Sequence, residues 1–155
     1  MKIFKKLTLG IAGIVFAAGT AWADGHIEGA VKARQALMKL YSHNLGQLGA
    51  MAKTTVPYDA DAASKAAANL AALASLDQST LWPQGSDNGS IKDTRALPAM
   101  WTKYPEVLTK ATAFKEAVAA MNAVAGTDLA SLQAAMGGVG KACGACHKAY
   151  RQPKD

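Results

Sequence analysis

Cysteine is nearly absent from this sequence, whose only two cysteines, Cys143 and Cys146, lie close together near the C-terminus. The one disulfide that they could form would close a loop of two intervening residues, which would stabilise the fold little. Runs of β-branched residues and strand-like alternation are also scarce, which argues against a sheet. Lysine and arginine form no stripe interleaved with aromatic residues, so nucleic-acid binding is not expected.

The N-terminus has the three parts of a secretory signal peptide. "MKIFKK" is a short basic start, residues 7–18 are apolar and uncharged, and "AWA" at 21–23 has the small-x-small form of a signal-peptidase site. We expect cleavage of residues 1–23 before Asp24, which predicts export to a bacterial periplasm. An uncleaved membrane anchor is the alternative, but the apolar run is shorter than the about 20 residues that a spanning helix needs.

Cleavage at that site leaves 132 residues (155 less 23), a length that suits one domain with a substantial core. It also removes Lys2, Lys5 and Lys6, so the formal charge falls from +6 to +3. Such a mild charge predicts only weak electrostatic steering toward acidic partners. Residues 24–155 are therefore expected to form a single domain that is not embedded in a membrane.

Four amphipathic segments have the apolar periodicity of α-helices. They run from about His26 to Ala52, from a cap at Asp59 or Asp61 to about Leu76, from about Trp101 or Pro105 to a stop at Gly126, and from a cap at Asp128 to about Arg151. This pattern predicts an all-α fold, an antiparallel four-helix bundle. Residues 77–100, rich in Pro, Gly, Ser, Asn and Asp, are predicted to be a long connection in which Trp82 packs against apolar side chains.

The stretch "GKACGACHKAY", residues 140–150, places both cysteines and a histidine on the apolar face of the last predicted helix. A thioredoxin-like redox pair would need its first cysteine at a helix N-terminus after a strand. A closed zinc site would need about four ligands, and the sequence holds only two other histidines. A structural disulfide would not need His147.

Covalent haem attachment uses all three residues of C-x-x-C-H. Cys143 and Cys146 are the predicted thioether anchors, and His147 is the predicted proximal iron ligand. One haem c is therefore the expected cofactor. A helical metal-binding protein without haem is the alternative.

The surroundings of this motif make it more specific. C-x-x-C-H near the end of a predicted four-helix bundle, followed four residues later by Arg151, resembles the class II c-type cytochromes, the family of cytochrome c′ and cytochrome c-556. The likeness covers the predicted mature chain and includes "RQALMK" at 34–39, "VPYDA" at 56–60, "LWPQG…TRALPAMW" within 81–101 and "VGKACGACHKAYR" at 139–151. It implies that the bundle holds one covalent haem.

This resemblance implies one of two functions. In proteins like cytochrome c-556, a methionine of the first helix is the sixth iron ligand and the protein carries electrons. In cytochrome c′ the iron is five-coordinate and binds nitric oxide or carbon monoxide. The family position four residues after the arginine of "RQ" is Met38, which is thus the candidate sixth ligand or, alternatively, only packs over the iron. The "TRALPAMW" stretch favours the first function by resemblance.

We therefore expect an electron carrier and not an enzyme, with other periplasmic or membrane redox proteins as its partners. The resemblance also allows a homodimer through the first two helices. A peroxidase would need a distal histidine–arginine pair, and His43 projects away from Met38, so a second histidine ligand is not expected either.

Arg34 lies on the apolar stripe of the first helix, one turn before Met38. A guanidinium among apolar side chains needs an anionic partner, which a haem propionate would supply, and the resemblance also places an arginine there. Gln35 is expected at the haem edge by resemblance alone.

Overall fold

The structure is a computed structural model that describes residues 19–154, with side chains from residue 25 onward. The predicted signal peptide, residues 1–23, thus lies largely outside the described residues. Within this described part the chain forms five α-helices: α1 (Gly19–Ala52), α2 (Ala60–Ser75), α3 (Ala99–Thr102), α4 (Tyr104–Val124) and α5 (Leu129–Tyr150). Residues 19–154 contain no β-strand, which confirms the all-α prediction.

Aspartate side chains start two of the long helices, as the sequence pattern predicts. Asp59 accepts a hydrogen bond from the Ala62 backbone N–H at 2.9 Å and caps α2. Asp128 accepts one from the Ser131 backbone N–H at 2.8 Å and caps α5. Each carboxylate satisfies an N–H group that has no partner within the first turn of a helix.

α1 is already helical at Gly19, where the described residues begin, and it includes the predicted start near His26. The third predicted helix is α4, whose start at Tyr104 agrees with the predicted start near Pro105 and not with the one near Trp101, since Lys103 has φ −118° and ψ 36° and separates α4 from the residues before it. The short α3 therefore precedes α4.

The bundle core draws on all four long helices. α1 packs against α2, and α4 packs against α2 and α5, so long helices that follow one another in the chain lie side by side. Fully buried large side chains come from each helix: Leu48, Leu70, Met121 and Leu132. The neighbours approach α2 closely because its buried face consists largely of alanine.

The buried face of α1 differs from the predicted stripe. Leu37 and Leu48 are 5% and 0% exposed, whereas Met38, one turn after Arg34, is 39% exposed. The reason is that α1 serves two environments, with one face in the core and the adjacent face on a cavity. A helical projection of the sequence shows only one continuous apolar stripe and cannot separate these two faces.

The turn between α4 and α5 lies tightly against the start of α2. A Cβ atom added to Gly126 would lie 1.9 Å from the Ser64 Oγ and 3.1 Å from the Ala60 carbonyl oxygen. Gly126 follows Ala125, the C-cap residue of α4, which agrees with the predicted helix stop at Gly126. No side chain fits here without a shift of the neighbouring atoms.

The α2–α3 connection, residues 76–98, closes one end of the bundle. Trp82 and Trp101 pack edge to face with ring centroids 6.5 Å apart, and the Trp101 Nε1–H donates to the Trp82 carbonyl oxygen at 3.0 Å. The Leu97 backbone N–H donates to the Tyr150 carbonyl oxygen at 3.0 Å. The connection is thereby attached to the C-terminal end of α5, and the predicted apolar packing of Trp82 is confirmed.

Among the residues described, no helix has the length and apolar character that a bilayer crossing requires.

We predict that the cap of α5 makes stability depend on acid pH. The hydrogen bond from Ser131 lowers the pKa of Asp128. The carboxylate therefore stabilises the fold above its unfolded pKa of about 3.9, and this contribution is lost as the pH falls below that value. Asp128→Asn keeps a capping oxygen that does not titrate, so its urea midpoint should decline less than the wild type between about pH 5 and pH 2.

Asp93→Asn is the matched control, because the hydrogen bond at this residue uses its backbone carbonyl and not its carboxylate. Circular dichroism in the far-ultraviolet bands of the α-helix gives the urea midpoint of each variant at each pH. An Asp128→Asn variant that loses stability as steeply as Asp93→Asn would contradict the assigned role.

Candidate functional site

A cavity of about 1200 Å³ lies between α1, α4, α5 and the α2–α3 connection. It exceeds the roughly 300–1000 Å³ of typical small-molecule sites, so it has room for a large ligand. Most of its wall is apolar, with contributions from each surrounding element, among them Tyr41, Leu76, Trp82, Val107, Phe114 and Tyr150. The apolar wall favours a largely hydrophobic ligand.

One wall of this cavity is the C-terminal half of α5. Cys143, Cys146 and His147 all line it, and all three are half-buried. Their spacing of three and four residues brings them to one face of the helix. The structure thus brings together the three residues of the C-x-x-C-H motif.

The cavity keeps these three side chains uncharged at neutral pH. Burial raises the pKa of the Cys143 and Cys146 thiols, with Lys110 opposing the shift at Cys146. Burial also lowers the pKa of His147, helped by the positive charges of Arg151 and Arg95. A thioredoxin-like pair needs a lowered thiol pKa, so this site contradicts that interpretation, whereas a neutral imidazole is the form that binds a metal.

A closed zinc site also lacks ligands. Within the part of the chain that the structure describes, no three histidine, cysteine, aspartate or glutamate side chains form a group that could hold a metal ion. His43 is exposed, pairs with Gln47 at 3.1 Å and does not line the cavity. Any metal in the cavity must therefore bring further ligands of its own.

Two methionines line the cavity, from different elements. Met38, on α1, is the predicted one. Met100, on α3, is 8% exposed and was missed by the sequence reasoning because it lies in a segment without helical periodicity. Its only signal was its place in the "TRALPAMW" stretch.

Arg34 is 3% exposed and holds the α2–α3 connection against α1. Its Nη1 donates to the Ser86 Oγ at 2.6 Å and to the Leu81 carbonyl oxygen at 3.3 Å. Its Nη2 donates to the Thr94 Oγ1 at 2.8 Å and to the Ser86 carbonyl oxygen. The guanidinium also lies 4.6 Å from the centroid of the Trp82 ring.

The Arg34 guanidinium thus donates to neutral hydroxyl and carbonyl oxygens, whereas the sequence predicts an anionic partner for it. Burial lowers the pKa of the Arg34 guanidinium and the charge of Asp87 opposes this, yet an arginine remains protonated. Arg34 also lines the cavity, so contact with an anionic group of a ligand stays a prediction. Gln35 lines the cavity beside it, and its Nε2 donates to the Asp93 carbonyl oxygen at 2.6 Å.

Comparison with known proteins gives consistent matches over this domain. Residues 29–151 match the family model described as Cytochrome C′. The chain is 52% identical over 126 residues to cytochrome c-554 of Cereibacter sphaeroides, covering 81% of this chain and 82% of that relative.

Solved structures that superpose on this chain include further cytochromes c′. A cytochrome c′ of Rhodobacter sphaeroides superposes with a TM-score of 0.81 at 38% identity, covering 83% of this chain and 98% of the other. A cytochrome c′ of Alcaligenes xylosoxidans superposes with a TM-score of 0.73 at 32% identity, covering 83% and 97%.

We predict that Arg34→Lys destabilises the fold by about 2–4 kcal/mol, because one ammonium cannot replace two guanidinium nitrogens and leaves buried acceptors unpaired. Urea denaturation measures the loss, and amide exchange should accelerate mainly within residues 76–98. Arg95→Lys is the matched control, since the Arg95 guanidinium bonds the Gln152 carbonyl oxygen at the surface. Equal stabilities of the two variants would show that the Arg34 hydrogen bonds do not hold the α2–α3 connection against α1.

Proposed function

Because the chain belongs to the cytochrome c′ family, we propose that it is an exported electron carrier whose single haem iron is held by His147 and Met38. The observation that supports this is the position of Met38, which lines the cavity from α1 while Cys143, Cys146 and His147 line it from α5. Met38 is 39% exposed, whereas a methionine that only fills the core, such as Met121, is 0% exposed.

The residues present fit a covalent haem c, the cofactor of this family. Two half-buried thiols and a neutral imidazole lie on one wall of a large apolar cavity. Cys143 and Cys146 would each add an S–H group across a vinyl double bond, so that no atom is lost, and His147 would bind the iron through a ring nitrogen. When bound, the haem supplies a one-electron couple between Fe(III) and Fe(II).

The chain's own residues set the environment of that couple. Side chains such as Tyr41, Val107 and Phe114 line the cavity and would reduce the access of water to a bound haem, and burial of this kind tunes a redox potential. A thioether ligand from Met38 would favour Fe(II) and raise the potential. We assign Arg34 and Gln35, which line the cavity on α1, to the propionate edge of the ring.

The partners of such a carrier would be periplasmic or membrane redox proteins, and no substrate turnover is involved. The predicted signal peptide supports a periplasmic location. A homodimer through α1 and α2 is part of the proposal, and a neighbouring cytochrome c′ with a TM-score of 0.76 is described as a dimer whose dissociation a ligand controls.

The second candidate function is the binding of a small gas. The A. xylosoxidans cytochrome c′ structure named above contains bound nitric oxide. In this chain the same function would leave the sixth position of the iron open, with Met38 only packing beside it. What distinguishes the two functions is whether the sulfur of Met38 binds the iron.

We predict that Met38→Leu changes the iron coordination and that Met100→Leu does not. The oxidised wild-type holoprotein should show a low-spin spectrum with the weak far-red band of a sulfur–iron bond. Met38→Leu should lose this band, bind carbon monoxide when reduced, and lower the potential by on the order of 0.1 V, within the roughly 0.8 V range that axial ligands set. Met100 lines the same cavity, so Met100→Leu controls for packing.

A high-spin wild-type spectrum that Met38→Leu leaves unchanged would contradict the electron-carrier proposal and favour gas binding. Loss of the sulfur band in Met100→Leu alone would assign the ligand to α3 instead.

We also predict that haem remains attached to the wild-type chain after denaturation and is lost from the double variant Cys143→Ala/Cys146→Ala. Haem staining after denaturing electrophoresis measures this, with co-expressed haem-attachment machinery in both cases. The single variants should each keep one thioether bond and stain. A mature wild-type mass that lacks a haem would overturn the cofactor assignment.

A further inference from the structure

A second concave surface lies beside the cavity, at the C-terminal end of α5. We name this surface of about 720 Å³ the basic hollow, and it is lined by Arg95, Gly144, His147, Lys148, Arg151, Pro153 and Lys154. Four of these residues carry a full positive charge and none is an aspartate or glutamate. The hollow is therefore a concentrated positive patch.

Two distant segments of the chain build this patch. Lys148, Arg151 and Lys154 come from the end of α5 and the tail that follows it. Arg95 comes from the α2–α3 connection, and its Nε donates to the Gln152 carbonyl oxygen at 2.9 Å. The Gln152 backbone N–H donates back to the Arg95 carbonyl oxygen at 2.8 Å, which fixes the connection beside the tail.

Within residues 25–154, no salt bridge neutralises the positive charge of the basic hollow. In residues 25–154, the salt bridges join Lys32 to Glu28, Lys65 to Asp61 and Lys103 to Glu106, and none includes a residue of the hollow. The four cations give the hollow a charge of +4, whereas the predicted mature chain carries +3 in total. The rest of the predicted mature chain therefore sums to −1, so the basic hollow is the concentrated positive surface toward which an acidic partner would be steered.

The position of the hollow connects it to the proposed haem site. His147 lines both the basic hollow and the large cavity, as do Arg95 and Arg151. A partner seated in the hollow would thus contact the residue that we assign as the proximal iron ligand. This step rests on the proposed function.

We propose that the basic hollow is the docking surface for a carboxylate-rich face of a partner redox protein. The cations lie on an open rim and are mostly exposed, an arrangement that steers a charged surface into place. The guanidinium of Arg95 already bonds a backbone carbonyl and so offers only part of its donors to an occupant. An open rim of this kind suits a broad acidic surface better than a small anion.

The test compares two holoprotein variants that lose the same charge at opposite ends of the bundle. Lys148→Gln/Lys154→Gln removes two cations from the hollow. Lys53→Gln/Lys65→Gln is the matched control, because Lys53 follows α1 where Ala52 contacts Gln133 and Lys65 lies next to Ser64 near Gly126. Both control positions lie toward the start of α5, and the 22-residue helix is about 33 Å long.

The first readout is the binding of a fluorescent hexaglutamate peptide, measured by anisotropy at low ionic strength. The hollow variant should bind it at least about three-fold more weakly than the control variant, since each lost cation weakens the local attraction. The difference should vanish at about 1 M salt, where the Debye length falls to about 3 Å. This readout does not depend on electron transfer.

The second readout is the rate at which the reduced holoprotein is oxidised by ferricyanide, an anion, or by tris(phenanthroline)cobalt(III), a cation. The hollow variant should react about three- to ten-fold more slowly with the anion and no more slowly with the cation, relative to the control variant. Equal behaviour of the two variants in both readouts would overturn the docking proposal while leaving the electron-carrier function intact. Negligible rates with both reagents would count against the electron-carrier function, and peptide binding would still decide the docking proposal.

Discussion

The buried guanidinium of Arg34 is the interaction on which the cavity depends. A positive charge taken out of water must be compensated, and here a connection of 23 residues (76–98) supplies the groups that do so. Ser86 and Thr94 lie 52 and 60 residues away in sequence, yet both bond the same side chain. Because the connection is held in this way, Trp82 lies over the guanidinium and forms part of the cavity wall.

The regular parts of this molecule could be predicted from the sequence. Helical periodicity and the aspartate caps were sufficient for α2 and α5, and helical spacing placed Cys143, Cys146 and His147 on one face. The parts that escaped prediction depend on tertiary contacts. Periodicity cannot distinguish the core face of Leu37 from the cavity face of Met38, and it says nothing about Met100 or the partners of Arg34, which lie in a segment without a repeat.

His147 lines both the cavity and the basic hollow, and its protonation depends on burial in the first and on the charges of the second. Desolvation in the cavity keeps both thiols protonated and the imidazole neutral, and the guanidiniums of Arg95 and Arg151 add to the effect on the imidazole. Those same guanidiniums belong to the basic hollow. One pair of arginines therefore favours the metal-binding form of the histidine and also contributes to the field that an approaching protein meets.

The tight fit of Gly126 against Ser64 and Ala60 has a consequence at the far end of α5. A one-residue slip of this helix would move its side chains 1.5 Å along the axis and turn them by about 100°. Cys143 and Cys146 would then leave the cavity wall altogether. The close approach of this turn to α2 therefore restrains the start of α5, and with it the height at which the two distant sulfur atoms lie along the helix.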